Sequence, residues 1–106
     1  MDRVLSLLGL AMKAGKIASG EFASESAVKD GSAKLVIIAK DASKNTQKLF
    51  KDKTSFRNIP LFEYSDKESL GRCIGKEMRS SIAVTDEGFA KKLSLVLSGG
   101  NDIENT

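Results

Sequence analysis

The sequence predicts an α/β protein: a three-layer α/β/α sandwich built on a small mixed sheet of about four strands. Three observations predict it. Short β-branched runs alternate with segments of helical periodicity, the arrangement that places helices on both faces of a sheet. One run, "KLVIIA" at 34–39, is apolar almost throughout, as in a strand covered on both sides. The 106 residues, 41% hydrophobic and 29% charged, suffice for one modest soluble core, with little chain left for a second.

The elements follow in order. Val4, Leu5, Leu8, Ala11 and Met12 fall on one face, which predicts a helix over 2–14 that stops at Gly15. This opening resembles an export signal in its apolar content, but Ser6 and Gly9 interrupt it and the cleavage pattern is poor, so a structural helix is expected. "KIAS" predicts a short strand at 16–19 and "EFASESAVKD" a second helix at 21–30, closed by Gly31. After the central strand at 34–39, "SKNTQKLFKDKT" predicts a third helix over 43–54 with Ser43 as its cap. "IPLFEY" predicts a strand over 59–64, with Pro60 near its start, where a missing N–H is tolerated. In the fourth helix, 65–73, Ser65 and Glu68 stand at capping-box spacing. "SSIAVT" predicts a strand over 80–85. "DEGFAKKLSLVL" predicts a last helix over 86–97, with Phe89, Leu93, Val96 and Leu97 on one face. A single domain is expected over 1–98, followed by a flexible acidic tail at 99–106.

Composition excludes several functions. There is no histidine, which removes the commonest general base and the commonest transition-metal ligand. Neither a Ser-His-Asp triad nor a Cys-His pair can be built. Cys73 is the sole cysteine, so no internal disulfide forms and a reducing, cytoplasmic setting is expected. No apolar run is long enough to span a bilayer. No enzyme, cofactor or metal is expected. The net charge is +3, and because Asp102 and Glu104 lie in a tail without bases, the body carries +5. A small basic body suits a polyanionic partner.

The stretch "LGRCIGKEMRSSIAVT" at 70–85 holds two glycines, the cysteine and three bases directly before a strand. Its "GRCIGKE" is no phosphate-binding loop: the spacing is wrong, the Ser or Thr is missing, and a helix precedes it. Cys73 has no partner base and reads as a small, half-buried structural residue, although Arg72 beside it is a cation able to lower a thiol pKa. Lys76 and Arg79 flank Met78 on a glycine-started loop. The cations suit phosphates, and an exposed methionine suits an extruded base. On residues alone this loop is either an RNA contact or a plain connection. Lys44, Lys48 and Lys51 form one stripe on the third helix, and residues 44–57 carry a local +4. That stripe reads as a solvated outer face or as a secondary electrostatic contact.

"GKIASG", "DGSAKLVIIAKDAS", "IPLFEY" and "LGRCIGKE…SIAVTD" together resemble, in order and spacing, the kink-turn RNA-binding ribosomal protein superfamily of the seven-Ae and thirty-e type. The small bacterial YlxQ-like branch is most similar, and the resemblance covers about residues 3–97. It implies an α/β/α sandwich that binds structured, kink-turn-like RNA, rRNA among the possibilities, at or near the ribosome, as a monomer and without catalysis. Carried over residue by residue, it implies an RNA face made of Gly20, Glu21, Phe22, Ala23 and Ser26 on the second helix. To these it adds Ala42 and Ser43 beside Asp41, Lys67 and Arg72 on the fourth helix, and Lys76, Glu77, Met78 and Arg79 in the last loop. The family carries G-x-N-E-x-x-K at the second helix, and this chain has "GEFASES". The side chains of Phe22 and Ala23 cannot make the base-edge hydrogen bonds of the Asn-Glu pair. Phe22 either stacks on a base or packs into the core. A protein-interaction module on the same scaffold is the alternative function. A third, the substrate-binding part of an RNA-modifying enzyme, would need a catalytic half for which this chain has no room.

Overall fold

The computed structural model describes residues 2–99. The elements run α1 (Arg3–Lys13), β1 (Ile17–Ser19), α2 (Glu21–Lys29), β2 (Leu35–Ile38), α3 (Lys44–Phe56), β3 (Leu61–Glu63), α4 (Lys67–Cys73), β4 (Ser81–Val84) and α5 (Glu87–Leu97). All nine predicted elements are present. The acidic tail lies outside the described residues from 100 onward. Among the described residues no helix is long and apolar enough to cross a membrane.

The four strands form one mixed sheet in the order β1-β4-β2-β3. β4 pairs antiparallel with both β1 and β2, and β3 pairs parallel with β2. The layering follows from the period of two along a strand. In β2, Leu35 and Ile37 enter one core, while Val36 and Ile38 enter the other. In β4, Ile82 and Val84 join the first core and Ala83 the second. Val4 and Leu8 of α1, Leu70 of α4 and Leu93 of α5 cover the first face. Ala27 and Val28 of α2 and Phe50 of α3 cover the second. The protein is therefore an α/β/α sandwich whose two central strands are buried on both sides.

One expectation is corrected and one open alternative is decided. α4 begins at Lys67, and its cap is Asp66, whose Oδ1 accepts the Ser69 N–H at 2.7 Å. Ser65 stands outside the helix with φ +61, and its carbonyl accepts the Lys40 N–H at 2.8 Å. A tertiary backbone bond thus displaces the Ser65–Glu68 capping box. Phe22 is not a core residue: its side chain is 85% exposed.

Candidate nucleic-acid interface

β1, β2 and β3 end, and β4 begins, at one edge of the sheet. The register places Ser19 opposite Ile82, and Ile38 opposite both Ser81 and Glu63. Four connections therefore meet there: the β1–α2 turn, the β2–α3 loop, the start of α4 and the α4–β4 loop. Backbone bonds tie them together. Gly20 N–H donates to Ser81 O at 3.0 Å, Ala39 N–H to Ser80 O at 2.9 Å and Arg79 N–H to Lys67 O at 3.0 Å. Asp41 Oδ1 accepts the Lys67 N–H at 2.9 Å, fixing the β2–α3 loop to α4.

Gly20 precedes α2 with φ 93 and ψ 160, a backbone shape that side chains rarely adopt. A Cβ there would meet nothing within 4 Å, so the requirement is conformational rather than steric. Asp2, Ser43, Asp66 and Asp86 cap the other four helices with side-chain oxygens, whereas α2 has no side-chain cap. Its first N–H groups thus have no side-chain cap, and the positive end of its dipole lies at this terminus. Glu21 is turned toward α3, because its Oε2 accepts the Thr46 hydroxyl at 2.6 Å, and Ser43 Oγ lies 3.0 Å from Thr46 Oγ1. This chain of oxygens joins the N-termini of α2 and α3. Phe22 and Ser26, four residues apart, share an exposed face of α2. Ala23 is half-buried.

The α4–β4 loop completes the rim. Gly75 turns the chain with φ +74. Lys76 and Glu77 are exposed and Met78 is 57% exposed. The Arg79 guanidinium donates to Met78 O at 2.9 Å, and its Nε lies 3.5 Å from Ser19 Oγ, directly before Gly20. Lys67, Lys76 and Arg79 join neither of the two ion pairs among the described residues. Arg72 does: it holds Glu68 at 3.0 Å on an exposed turn of α4, and is offset accordingly. Ala42 differs from expectation, since its side chain is buried in the core and its carbonyl already accepts from Gln47 Nε2 at 2.8 Å. Sequence reasoning singles out neither Thr46 nor Lys40. The signal for Thr46 was its place three residues after the Ser43 cap, where a side chain turns back on the first turn.

Cys73 lies beside this region, half-buried against α1, with Sγ 3.1 Å from Leu70 O. Burial, then the negative charge of Asp2, push its thiol up to about 11. A thiol held neutral in this way is a poor nucleophile. Among the described residues no group of three His, Cys, Asp or Glu side chains is placed to hold a metal ion.

The edge thus presents an open helix N-terminus, unpaired cations and two exposed apolar side chains. A family model described as the ribosomal protein L7Ae/L30e/S12e/Gadd45 family matches residues 2–94. The chain is 39% identical over 98 residues to an RNA-binding protein YlxQ of Enterococcus faecium, covering 92% of this chain and 94% of that protein. It is 45% identical over 91 residues to an RNA-binding protein YlxQ of Bacillus subtilis (strain 168), covering 86% and 91%. A solved structure of a protein with unknown function from Bacillus halodurans C superposes with a TM-score of 0.89 at 39% identity, covering 92% of this chain and 99% of that one. The Giardia lamblia 15.5kD RNA binding protein shares the fold, with a TM-score of 0.76 at 20% identity over 89% of this chain and 83% of that one.

Proposed function

Since the chain belongs to the ribosomal protein L7Ae/L30e/S12e/Gadd45 family, we propose that it is a non-catalytic RNA-binding protein. It binds structured, kink-turn-like RNA as a monomer, in the cytoplasm and at or near the ribosome. The observation that carries this reading is the pairing, at one sheet edge, of the uncapped α2 N-terminus with the unpaired cations Lys67, Lys76 and Arg79. Phosphate is favoured at such a terminus by free N–H groups and the dipole, on the order of 0.3–1 kcal/mol when exposed. Lys76 and Arg79 add contacts to neighbouring phosphates. The curated relatives named as RNA-binding proteins support the same ligand.

Recognition of bases is a separate matter. Phe22 and Ala23 have no hydrogen-bonding side-chain atoms, so tandem G·A pairs are not read by hydrogen bonds at these positions. The exposed Phe22 ring offers stacking instead, which tolerates any base. A kink-turn RNA and the same RNA with its G·A pairs destroyed are therefore expected to bind the wild type with similar affinity. Phe22→Asn with Ala23→Glu is expected to raise the preference for the intact RNA about tenfold or more, since each restored bond contributes roughly 0.5–1.5 kcal/mol. Lys76→Ala and Arg79→Ala are each expected to flatten the slope of log K against log salt by about one unit. Unchanged slopes in both variants remove the loop from the interface. A strong wild-type preference that the double change leaves alone removes the reading of α2.

The exposed Phe22 also favours a second reading, a protein-interaction module on the same scaffold. An apolar protein contact is expected to keep its affinity as salt rises, whereas an RNA contact loses it steeply.

A further inference from the structure

α3 carries a charge pattern that the sheet-edge interface does not use. Between Lys44 and Arg57 there are five bases and one acid, Asp52. Thr46, Phe50 and Thr54 are the buried side of the helix. Lys44, Lys48 and Lys51, spaced by four and three residues, share one stripe on the other side, and all three are exposed. The two ion pairs among the described residues, Lys29–Glu25 and Arg72–Glu68, leave this stripe untouched. Like charges three and four residues apart repel, and among the described residues no acidic side chain is ion-paired with the stripe.

Its position is informative. Lys44 follows Ser43, the cap that hydroxyl contacts connect to Glu21 on α2. The stripe thus begins at the candidate interface and leads away from it. At 1.5 Å per residue, Arg57 lies about 20 Å farther along the helix. There Phe56 is 83% exposed, with the Arg57 guanidinium carbon 5.3 Å from its ring centroid. An aromatic ring held by no core and paired with a cation is a platform on which an unpaired base can stack.

We infer that α3 is a second RNA-contacting surface, along which the single strand flanking the structured element runs. Lys44, Lys48 and Lys51 contact its phosphates, and Phe56 with Arg57 stacks one unpaired base. This rests on the reading of the sheet edge as the RNA interface. The occupant is a single strand rather than a duplex, because a paired and stacked base offers no face to Phe56. Lysine meets phosphate as a point charge, so the contact is indifferent to sequence.

The test compares a blunt kink-turn hairpin with the same hairpin carrying about ten unpaired uridines at its 5′ or its 3′ end, within the range of single-strand site sizes. For the wild type, the overhang on one end is expected to tighten binding about tenfold at low salt. It should also steepen the salt slope by about two units, from three contacts at about 0.7 each. The triple variant Lys44→Gln, Lys48→Gln, Lys51→Gln loses both gains and keeps wild-type affinity for the blunt hairpin. Phe56→Ser loses about fivefold of the gain in affinity and leaves the slope alone. Thermal melting of each variant checks that the fold persists. If the blunt hairpin binds and neither overhang adds anything, or the triple variant keeps the gain, the α3 surface is overturned and the sheet-edge interface stands. If the wild type binds neither RNA, both are overturned.

Discussion

Gly71 shows how much one missing side chain can decide. A glycine inside a helix costs roughly 0.5–1 kcal/mol relative to alanine. The compensation is that the α4–β4 loop lies directly on it: a Cβ there would coincide with the Glu77 carbonyl, and Lys76 N–H donates to Gly71 O at 2.8 Å. Gly71→Ala is expected to push the loop off α4. Binding assays should show an affinity loss as large as that of Lys76→Ala and Arg79→Ala combined, and the melting temperature should fall. Wild-type values of both would show that the loop does not depend on this packing. Asp2 is a second single-residue device. Its Oδ1 caps α1 by accepting the Leu5 N–H at 3.0 Å, and its Oδ2 accepts the Tyr64 hydroxyl at 2.6 Å. That hydrogen bond, then burial, then the charge of Asp2 push the phenol up to about 12. The raised value means that the stability from this contact is complete below the ordinary value of 10.0 and is lost as pH climbs from there to about 12. Tyr64 is the chain's one tyrosine, so tyrosinate absorbance reads it directly. Asp2→Ala is expected to bring the midpoint down toward 10; an unmoved midpoint would show that Asp2 is not the cause.

At the level of elements, local pattern located all nine segments, and α1, α2 and α5 came within a residue or so of their ends. The end of α3, the start of β3 and the start of α4 were each missed by two residues, and the last has a clear cause. "SDKES" offers two adjacent capping residues, and sequence spacing favours Ser65 because Glu68 follows at the right distance. The bond from Lys40 N–H to Ser65 O is tertiary, so no local rule could have weighed it. Two substitutions separate the accounts. Asp66→Ala is expected to lower the melting temperature, and Ser65→Gly is expected not to, since glycine suits φ +61. Equal losses from both would restore the capping box. Bonds from Ser69 hold the Asp66 carboxyl below its ordinary value. Its contribution is therefore present above that value and is lost as pH falls through the lowered one.

Across the whole molecule, the fold class was legible because periodicity and burial obey the same geometry in any α/β/α sandwich. The candidate interface was legible mostly through resemblance, since residues alone pointed no further than the loop of Lys76, Met78 and Arg79. Nothing local announces that β4 lies between β1 and β2, yet that placement brings Arg79 beside Ser19, sixty residues away. Phe22 illustrates the same limit, since an apolar residue near a helix start fits core and surface equally until the packing is known.

The place of β4 also sets the order in which the chain can fold while it is being made. Among the described residues β1 has no neighbour in the sheet except β4, and β2 has β4 on one side. Roughly sixty residues separate the two strands, so at about 5–20 residues per second β1 waits several seconds for its partner. Throughout that time the apolar faces of α1 and β2 have only half a sheet to cover them. A chain ending at residue 80 is accordingly expected to show no cooperative melting by circular dichroism, while one ending at residue 98 melts like the full chain. Cooperative melting of the shorter chain would show that the first eighty residues find a stable arrangement alone. Otherwise the nascent protein stays unfolded until its last strand clears the exit tunnel, and the whole sheet then closes in one late step.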